Sequence, residues 1–186
     1  FDKDSVDTLK LNSHFDSVDI FCEDLSNLDK TKISNSLSKN KSKEFIVIGG
    51  PPCQPFSKNG YWITNKKRKS FKDPRNMIEE YFNVIKDFEP NGFLLENVES
   101  ILHPTNKFAI NYIIKKSKYL GYRLKIVKGN ALDYGVPQKR KRIFFIGLKR
   151  KFEIDNPIAT HYDPNNKNMS LFDSDKKPYT NVKDFI

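Results

Sequence analysis

The sequence contains little cysteine, no long apolar run and no cluster of histidines. Cys22 and Cys53 are the two cysteines of 186 residues, and they show no pairing pattern, which argues against a disulfide framework and favours a reducing compartment. No apolar stretch approaches the roughly 20 residues of a membrane span, and no signal-peptide pattern opens the chain. The histidines (His14, His103, His161) lack metal-ligand spacing. We expect a cytosolic or nuclear protein, cytoplasmic if bacterial, with no membrane partner and no metal.

Positive charge is in excess. Lys and Arg number 33 against 23 Asp and Glu, which gives a formal net charge of +10. Such an excess favours a polyanionic partner. The basic runs Lys66–Lys69 and Lys139–Arg142 concentrate part of this charge. The alternative is that frequent Lys and Asn reflect codon bias, with the charge spread evenly over solvated faces.

Strand-like and helix-like segments alternate along the chain, and this predicts an α/β domain with a mainly parallel sheet. The length suits one domain with a core, and we find no internal repeats. Strands are expected near Ser17–Cys22, Glu44–Ile48, Gly92–Glu96, Arg123–Lys128 and Ile143–Leu148, and helices near Lys30–Leu37, Met77–Phe88 and Asn106–Leu120. We expect the main domain over residues 1–150 and a polar linker over residues 151–186.

A stiff turn that carries a thiol follows the second of these strands. The segment reads Gly49-Gly50-Pro51-Pro52-Cys53-Gln54-Pro55-Phe56-Ser57. Each proline fixes its own φ and biases the residue before it toward extended geometry, so Cys53 has little freedom. A nucleophile benefits from such positioning, whereas a cysteine that only packs does not need it. Cys22, beside an apolar run, is interpreted as a small hydrophobic residue with no role in chemistry.

Three motifs in this order resemble those of one enzyme family. The segment Pro51–Ser57 resembles the nucleophile loop of the C5-cytosine DNA methyltransferases. The segment Phe93–Val98, which ends in Glu-Asn-Val, resembles the family's second element. The segment Asn130–Arg142 resembles its Gln-x-Arg-x-Arg element. The resemblance covers nearly the whole chain. It implies an α/β, Rossmann-like fold of S-adenosylmethionine-dependent methyltransferases, with a mainly parallel, doubly wound sheet that is incomplete at both ends.

The resemblance assigns catalytic roles to Cys53, Glu96, Arg140 and Arg142. Cytosine C5 is too weakly nucleophilic to take a methyl group directly, and addition of the Cys53 thiolate at C6 activates it. A protonated Glu96 would donate to N3 and accept from the N4 amino group, which requires a pKa raised by burial. Arg142 would contact O2, and Arg140 would brace the site or a phosphate. Without the neighbouring motifs, Glu96 would be read as a solvated acid.

Three further residues are assigned supporting roles. Asn97 is expected to orient the Pro52–Cys53 turn by hydrogen bonding, and Gln138 to hold the local backbone. Gln54 follows the nucleophile directly. The alternative for the run that contains Gln138 and both arginines is a solvated basic strand edge.

The resemblance implies S-adenosylmethionine as the methyl donor, bound at the carboxyl ends of the strands. Asp24 would accept from the adenine amino group, and Leu25 would supply backbone nearby. Phe1 would offer an aromatic face, Pro52 a wall and Ile78 an apolar contact. The alternatives are a helix cap or loop acid for Asp24, and ordinary core packing for Phe1 and Ile78.

Double-stranded DNA is the partner that the resemblance implies. A paired cytosine is inaccessible within the stack and must be flipped out; methyltransferases are among the standard examples of this process. Ser57–Lys72 is expected to close over DNA, with Ser57, Lys58 and Arg75 as contacts, the basic ones to phosphates. Trp62, in this loop, is equally well interpreted as a core anchor.

The chain begins just after the position where the family carries its first cofactor motif. It stops where the target-recognition region would approach. Residues 1–150 would then be a partial catalytic domain, and residues 151–186 a linker toward that region. We expect a missing N-terminal segment or a complementary chain. The leading hypothesis is a DNA methyltransferase of a restriction–modification system, and the alternatives are a tRNA C5-cytosine methyltransferase or a catalytically incomplete subunit.

Overall fold

A computed structural model of the chain describes residues 2–12, 18–39, 44–52, 77–149, 154–165 and 175–184. The helices in these ranges are α1 (Lys3–Lys10), α2 (Lys30–Lys39), α3 (Ile78–Phe88) and α4 (Lys107–Tyr119). The strands of the main sheet are β1 (Ile46–Gly49), β2 (Gly92–Val98), β3 (Tyr122–Asn130) and β4 (Lys141–Lys149). A second pair of strands consists of β5 (His161–Tyr162) and β6 (Lys177–Pro178).

The main sheet has four strands in the order β1-β2-β4-β3. β1 pairs in parallel with β2, and β4 is antiparallel to both β2 and β3. Three strands therefore run in one direction, and β4 is inserted between two of them in the opposite direction. The short connection 131–140 explains the reversal of β4, because a parallel return requires a longer crossover. The expected Rossmann-like α/β fold is confirmed, with β4 as the exception to the parallel arrangement.

Helices α3 and α4 cover one face of the sheet. Each follows a strand and leads to the next, as in βαβ units, and each contributes apolar side chains to the core. The fully buried members of that core are, from the helices, Ile78, Phe82, Ile85, Ala109 and Ile113, and from the strands Phe93, Leu95, Ile143 and Phe145. The rings of Phe82 and Phe93 meet edge to face, with centroids 5.6 Å apart. Side chains alternate along each strand, so residues such as Leu94, Phe144 and Ile146 lie on the other face.

Tyr81 joins helix α3 to the ends of β1 and β2. Its hydroxyl lies 3.1 Å from the carbonyl oxygen of Val47 and 3.0 Å from that of Leu94. Burial raises the pKa of this hydroxyl, which keeps it protonated as a donor. A Cβ at Gly49 would come within 2.6 Å of the Tyr81 ring, so this close approach requires glycine. The contact fixes the point at which the chain leaves β1.

The predicted elements of the sheet and of helices α2, α3 and α4 are confirmed, with shifted ends. The strand predicted near Ser17–Cys22 is wrong for its described part, because residues 18–22 are irregular. Val18 is 51% exposed and Phe21 37% exposed, so this apolar run has no described strand beside it to pack against. Helix α1 was not predicted. It has no buried residue. The domain boundary near residue 150 stays a prediction.

Candidate active site

The sheet brings the polar ends of three segments to one edge. β1, β2 and β3 run in the same direction, so their carboxyl ends lie together, and β4 begins at this edge because it runs the opposite way. Ligands of open α/β sheets bind outside the carboxyl ends of the strands. Glu96 lies near the end of β2, and Arg142 lies at the start of β4. The segments that the sequence analysis singled out therefore converge in the fold.

Glu96 and Arg142 form an ion pair at this edge. The Arg142 Nε lies 2.6 Å from Glu96 Oε1, and the two side chains are 22% and 32% exposed, respectively. The register explains the contact. Glu96 is opposite Phe144, so Arg142 is its diagonal neighbour on the same face of the sheet. Arg142 Nη1 also donates to the backbone oxygen of Lys141 at 2.8 Å, which fixes the orientation of the guanidinium.

A cavity of about 520 Å³ opens beside this ion pair on the sheet face opposite helices α3 and α4. Its apolar walls include Leu94, Val127, Phe144 and Ile146. The polar groups gather at one end, where Glu96, Arg142 and Arg140 line the cavity together with Asn130. Arg140 and Arg142 both face it, as the alternation of side chains in an extended segment predicts. An apolar cavity with a few convergent polar groups is typical of a ligand site.

The loop that leads to Cys53 passes Glu96. A Cβ built on Gly50 would lie 3.3 Å from Glu96 Oε2, so the backbone at Gly50 is adjacent to the carboxylate. Pro51 is buried, Pro52 is exposed, and the described segment ends there, one residue before Cys53. Cys53 lies outside the described residues, as do Phe1, Gln54, Ser57, Lys58 and Arg75, and their roles stay predictions.

Asn97 follows Glu96 in β2, and its side chain is buried, with 1% exposed. Its Oδ1 accepts a hydrogen bond from the backbone N–H of Val98 at 3.0 Å. Its Nδ2 has no hydrogen-bond partner among the described residues. An unsatisfied buried donor is costly, which fits the predicted role of holding a neighbouring turn. Gln138 is exposed, and its backbone N–H donates to the Val136 oxygen at 2.7 Å.

Of the residues predicted to bind the cofactor, the structure describes Asp24, Leu25, Pro52 and Ile78, and these four do not line the cavity. Asp24 precedes the 3₁₀ turn Leu25–Asn27, and its Oδ1 accepts from the Ser26 N–H at 2.9 Å. Leu25 is 41% exposed, and its turn contacts helix α3. Ile78 begins that helix and is completely buried in the core. The structure therefore assigns Ile78 to packing, and its predicted contact with a cofactor stays a prediction.

The cavity also has walls that the sequence analysis missed. Asn130, Tyr134 and Pro157 line it, and of these Pro157 belongs to the segment expected to be a linker. The Asn130 Oδ1 is buried and has no hydrogen-bond partner among the described residues. The Tyr134 hydroxyl lies 3.5 Å from the backbone oxygen of Pro157. Asn130 and Tyr134 both belong to the third motif, Asn130–Arg142, so their position in that motif could have indicated them.

The described ranges contain neither a metal-ligand cluster nor a membrane-spanning helix. There, His, Cys, Asp and Glu side chains nowhere gather in groups of three or more that could hold a metal ion. Each helix of these ranges is too short or too polar to cross a membrane.

The structure thus shows a Rossmann-like sheet with an acid and two arginines beside a cavity, and comparison with known proteins gives the family. The family model for C-5 cytosine-specific DNA methylases matches residues 1–185. The chain therefore belongs to the family of C-5 cytosine-specific DNA methylases.

Two curated relatives and one solved structure illustrate the similarity. The chain is 30% identical to the Type II methyltransferase M.SacI of Streptomyces achromogenes, over 100% of this chain and 47% of that protein. It is 32% identical to the Type II methyltransferase M.AquIA of Picosynechococcus sp., over 100% of this chain and 75% of that protein. The methyltransferase EhMeth of Entamoeba histolytica has a TM-score of 0.54 at 20% identity, over 80% of this chain and 44% of that one, and it shares the fold. The chain spans less than half the length of M.SacI.

Proposed function

We propose that this protein methylates C5 of a cytosine in DNA through a covalent bond between Cys53 and C6, as the modification enzyme of a bacterial restriction–modification system. The observation that supports this most is the ion pair of Glu96 and Arg142, 2.6 Å apart at the polar end of a cavity. The loop that carries Cys53 starts beside the same carboxylate. Such an enzyme would work in the cytoplasm.

The chemistry begins with the sulfur of Cys53. The thiolate forms a bond to C6, and the electron pair of the C5–C6 double bond moves into the ring toward N3. In this step a protonated Glu96 would donate to N3 and accept from the N4 amino group, so it would offset the charge that develops; this requires Glu96 to exchange its ion pair with Arg142 for a proton. S-adenosylmethionine supplies the methyl group that C5 takes. A water molecule then takes the C5 proton, the electron pair of that C–H bond re-forms the C5–C6 double bond, and the Cys53 sulfur leaves C6 as a thiolate.

Glu96 and Arg142 suit this task because both line the cavity that we propose for the base. In the structure they bind each other, so neither polar group is left without a partner. A cytosine that enters would take over both: its O2 would accept from the Arg142 guanidinium, and its N3 and N4 would pair with the Glu96 carboxyl. Arg140 would brace the site or bind a phosphate.

The residues proposed for the cofactor fit an adenine-bearing ligand in one respect. Asp24 uses Oδ1 for its own turn, and its Oδ2 accepts no hydrogen bond from the described residues. This oxygen would accept from an adenine amino group, and the exposed side chain of Leu25 would pack beside the ring. Phe1 and Pro52 are proposed to complete the contact.

The substrate is proposed to be double-stranded DNA with the target nucleotide flipped out of the stack. The formal charge of +10 favours a polyanion, and phosphate contacts by Lys58 and Arg75 would make the affinity fall with salt. Ser57 would lie on the same DNA-facing loop.

Covalent trapping tests the proposal. With the protein as it is encoded and S-adenosylmethionine present, duplex DNA that carries 5-fluorocytosine should form a complex that survives denaturing electrophoresis, because fluorine cannot leave C5 as a proton does. Cys53→Ser should abolish the complex. The matched control is Cys22→Ser, since Cys22 is an exposed free cysteine with no assigned role. A complex that persists in Cys53→Ser, or one that forms with a fluorinated tRNA but not with DNA, contradicts the proposal.

A further inference from the structure

The connection between β3 and β4 (residues 131–140, the arginine loop) carries Arg140 and delivers Arg142 to the cavity. The loop is closed at its base, where the Ala131 N–H donates to the Arg140 oxygen at 3.0 Å. It begins with the 3₁₀ turn Ala131–Tyr134, and Gly135 follows in the left-handed region with φ of 84°. The position of both arginines therefore depends on what holds this loop.

The C-terminal segment (residues 154–162 and 175–180) holds the arginine loop at several points. The Thr160 N–H donates to the Asp133 backbone oxygen at 2.9 Å, and the Thr180 hydroxyl donates to the Gly135 oxygen at 2.8 Å. The His161 ring lies over Gly135, where an added Cβ would come within 2.7 Å of the ring. The two stretches of the segment are joined by the β5–β6 pair, so they act on the loop as one unit.

One side-chain contact anchors this unit to the loop. The Tyr179 hydroxyl donates to Asp133 Oδ1 at 2.6 Å, and the hydrogen bond to this carboxylate raises the pKa of Tyr179 to about 12. The same oxygen of Asp133 faces Asn130 Nδ2 at 3.5 Å. Asn130 lies in the cavity wall with its Oδ1 buried and without a partner among the described residues. Tyr179 is thus connected to the cavity wall through the side chains of Asp133 and Asn130.

We infer that Tyr179 is a positioning residue for the candidate active site: through Asp133 it holds the arginine loop in the shape that presents Arg140 and Arg142 to the cavity. This inference rests on the proposed function. A general role in stability does not explain the contact well, because Tyr179 is absent from the helix–sheet core and its hydroxyl is bound to the loop itself. A charge-assisted hydrogen bond is directional as well as strong, so it suits the placement of a loop.

Tyr179→Phe is the test variant, because it removes only the hydroxyl. Tyr119→Phe is the matched control, since Tyr119 is 80% exposed at the end of α4. Asp133→Ala, alone and combined with Tyr179→Phe, shows whether the two residues act through one bond. Each variant is made in the protein as it is encoded. Two measurements are compared: amide hydrogen exchange at Ala131 and Thr160, and the rate of covalent trapping of 5-fluorocytosine DNA at saturating concentration.

Tyr179→Phe should speed exchange at both amides at least about fivefold, while the core amides of β2 stay protected. Trapping should slow about tenfold with a change of less than about twofold in the DNA concentration that gives half the maximal rate, because small displacements of catalytic groups act on the chemical step. The double variant should be no slower than the slower single variant, since coupled residues are not additive.

Four outcomes decide between the claims. Unchanged exchange at Ala131 and Thr160 in Tyr179→Phe overturns the inference, and so does faster exchange with a wild-type trapping rate. A trapping rate that falls only in proportion to the fraction of unfolded protein also overturns it. A wild-type protein that forms no covalent complex overturns the proposed function, and the exchange measurement then still shows whether Tyr179 holds the loop.

Discussion

Replacing Glu96 with Gln and Arg142 with Met, singly and together, should reveal a coupling of about 1.5 kcal/mol in the free energy of unfolding at pH 7. Each single variant leaves the other charged group without its partner at a site where only part of its surface meets water. The double variant removes both charges, so it should be more stable than the sum of the single changes predicts. The coupling is the difference between these two values.

The magnitude follows from the geometry of the pair. Unit charges 2.6 Å apart attract by about 1.6 kcal/mol at the dielectric constant of water, and by about 6 kcal/mol at an effective value near 20. The two side chains are only 22% and 32% exposed, so the cost of their desolvation offsets most of the attraction of about 6 kcal/mol. Hydrogen bonds to charged groups contribute about 1.5–3 kcal/mol net. We expect the lower end of that range because both groups keep some contact with solvent.

The assay is urea unfolding of the four proteins, with the ion pair of Glu99 and Lys128 as the matched control. This second pair lies at the same edge of the sheet, but its side chains are 41% and 55% exposed. Its coupling should be below about 0.5 kcal/mol, because exposed pairs are screened and cost side-chain entropy. If the coupling of Glu96 and Arg142 is no larger than that of the control pair, the reasoning from burial is wrong.

Two further predictions concern the stability of the fold. Gly147→Ala should destabilise the protein by about 2–3 kcal/mol in urea unfolding, because a Cβ there would come within 2.1 Å of the Phe93 ring. Gly121→Ala, with φ of 83° and no atom within 4 Å of the added Cβ, should cost about 1 kcal/mol, and equal costs would contradict the packing argument. Burial raises the pKa of Tyr122 to about 12, above the value of about 10 for an unfolded tyrosine, so its neutral form stabilises the folded state. That contribution is complete below pH 10 and is lost as the pH rises toward 12. In urea unfolding, Tyr122→Phe should therefore lose less free energy of unfolding between pH 10 and 12 than the wild type does. An equal loss in both proteins would contradict the raised pKa of Tyr122.

The sequence was sufficient for most of the sheet and for the convergence of the site. The apolar runs that became β1, β2 and β4 are bounded by turn residues, and the amphipathic stripe of α3 places Tyr81, Phe82 and Ile85 in the core. Glu96 and the two arginines were expected to act together, and they line one cavity. Local patterns carried this information because each segment is apolar on the side that it buries.

Two features could not be predicted from the sequence, because they depend on contacts between residues that lie far apart along the chain. The insertion of β4 between β2 and β3 is a property of strand pairing, which no local pattern encodes. The attachment of the C-terminal segment (residues 154–162 and 175–180) to the arginine loop was missed because these described stretches are polar and their strands are two residues long. The strand predicted near Ser17–Cys22 also depended on a distant neighbour. Residues 18–22 are irregular, and no described strand lies beside this apolar run.

The reversed strand β4 has a consequence for the order in which the protein is made. Glu96 and the loop before it emerge from the ribosome early, whereas Arg142 emerges only with the last strand of the main sheet. Pairing between β2 and β4 closes a long loop, which is slow relative to local helix formation. A nascent chain that has not yet completed β4 therefore holds the acid without its cation, and the polar end of the cavity forms only once β4 has paired with β2.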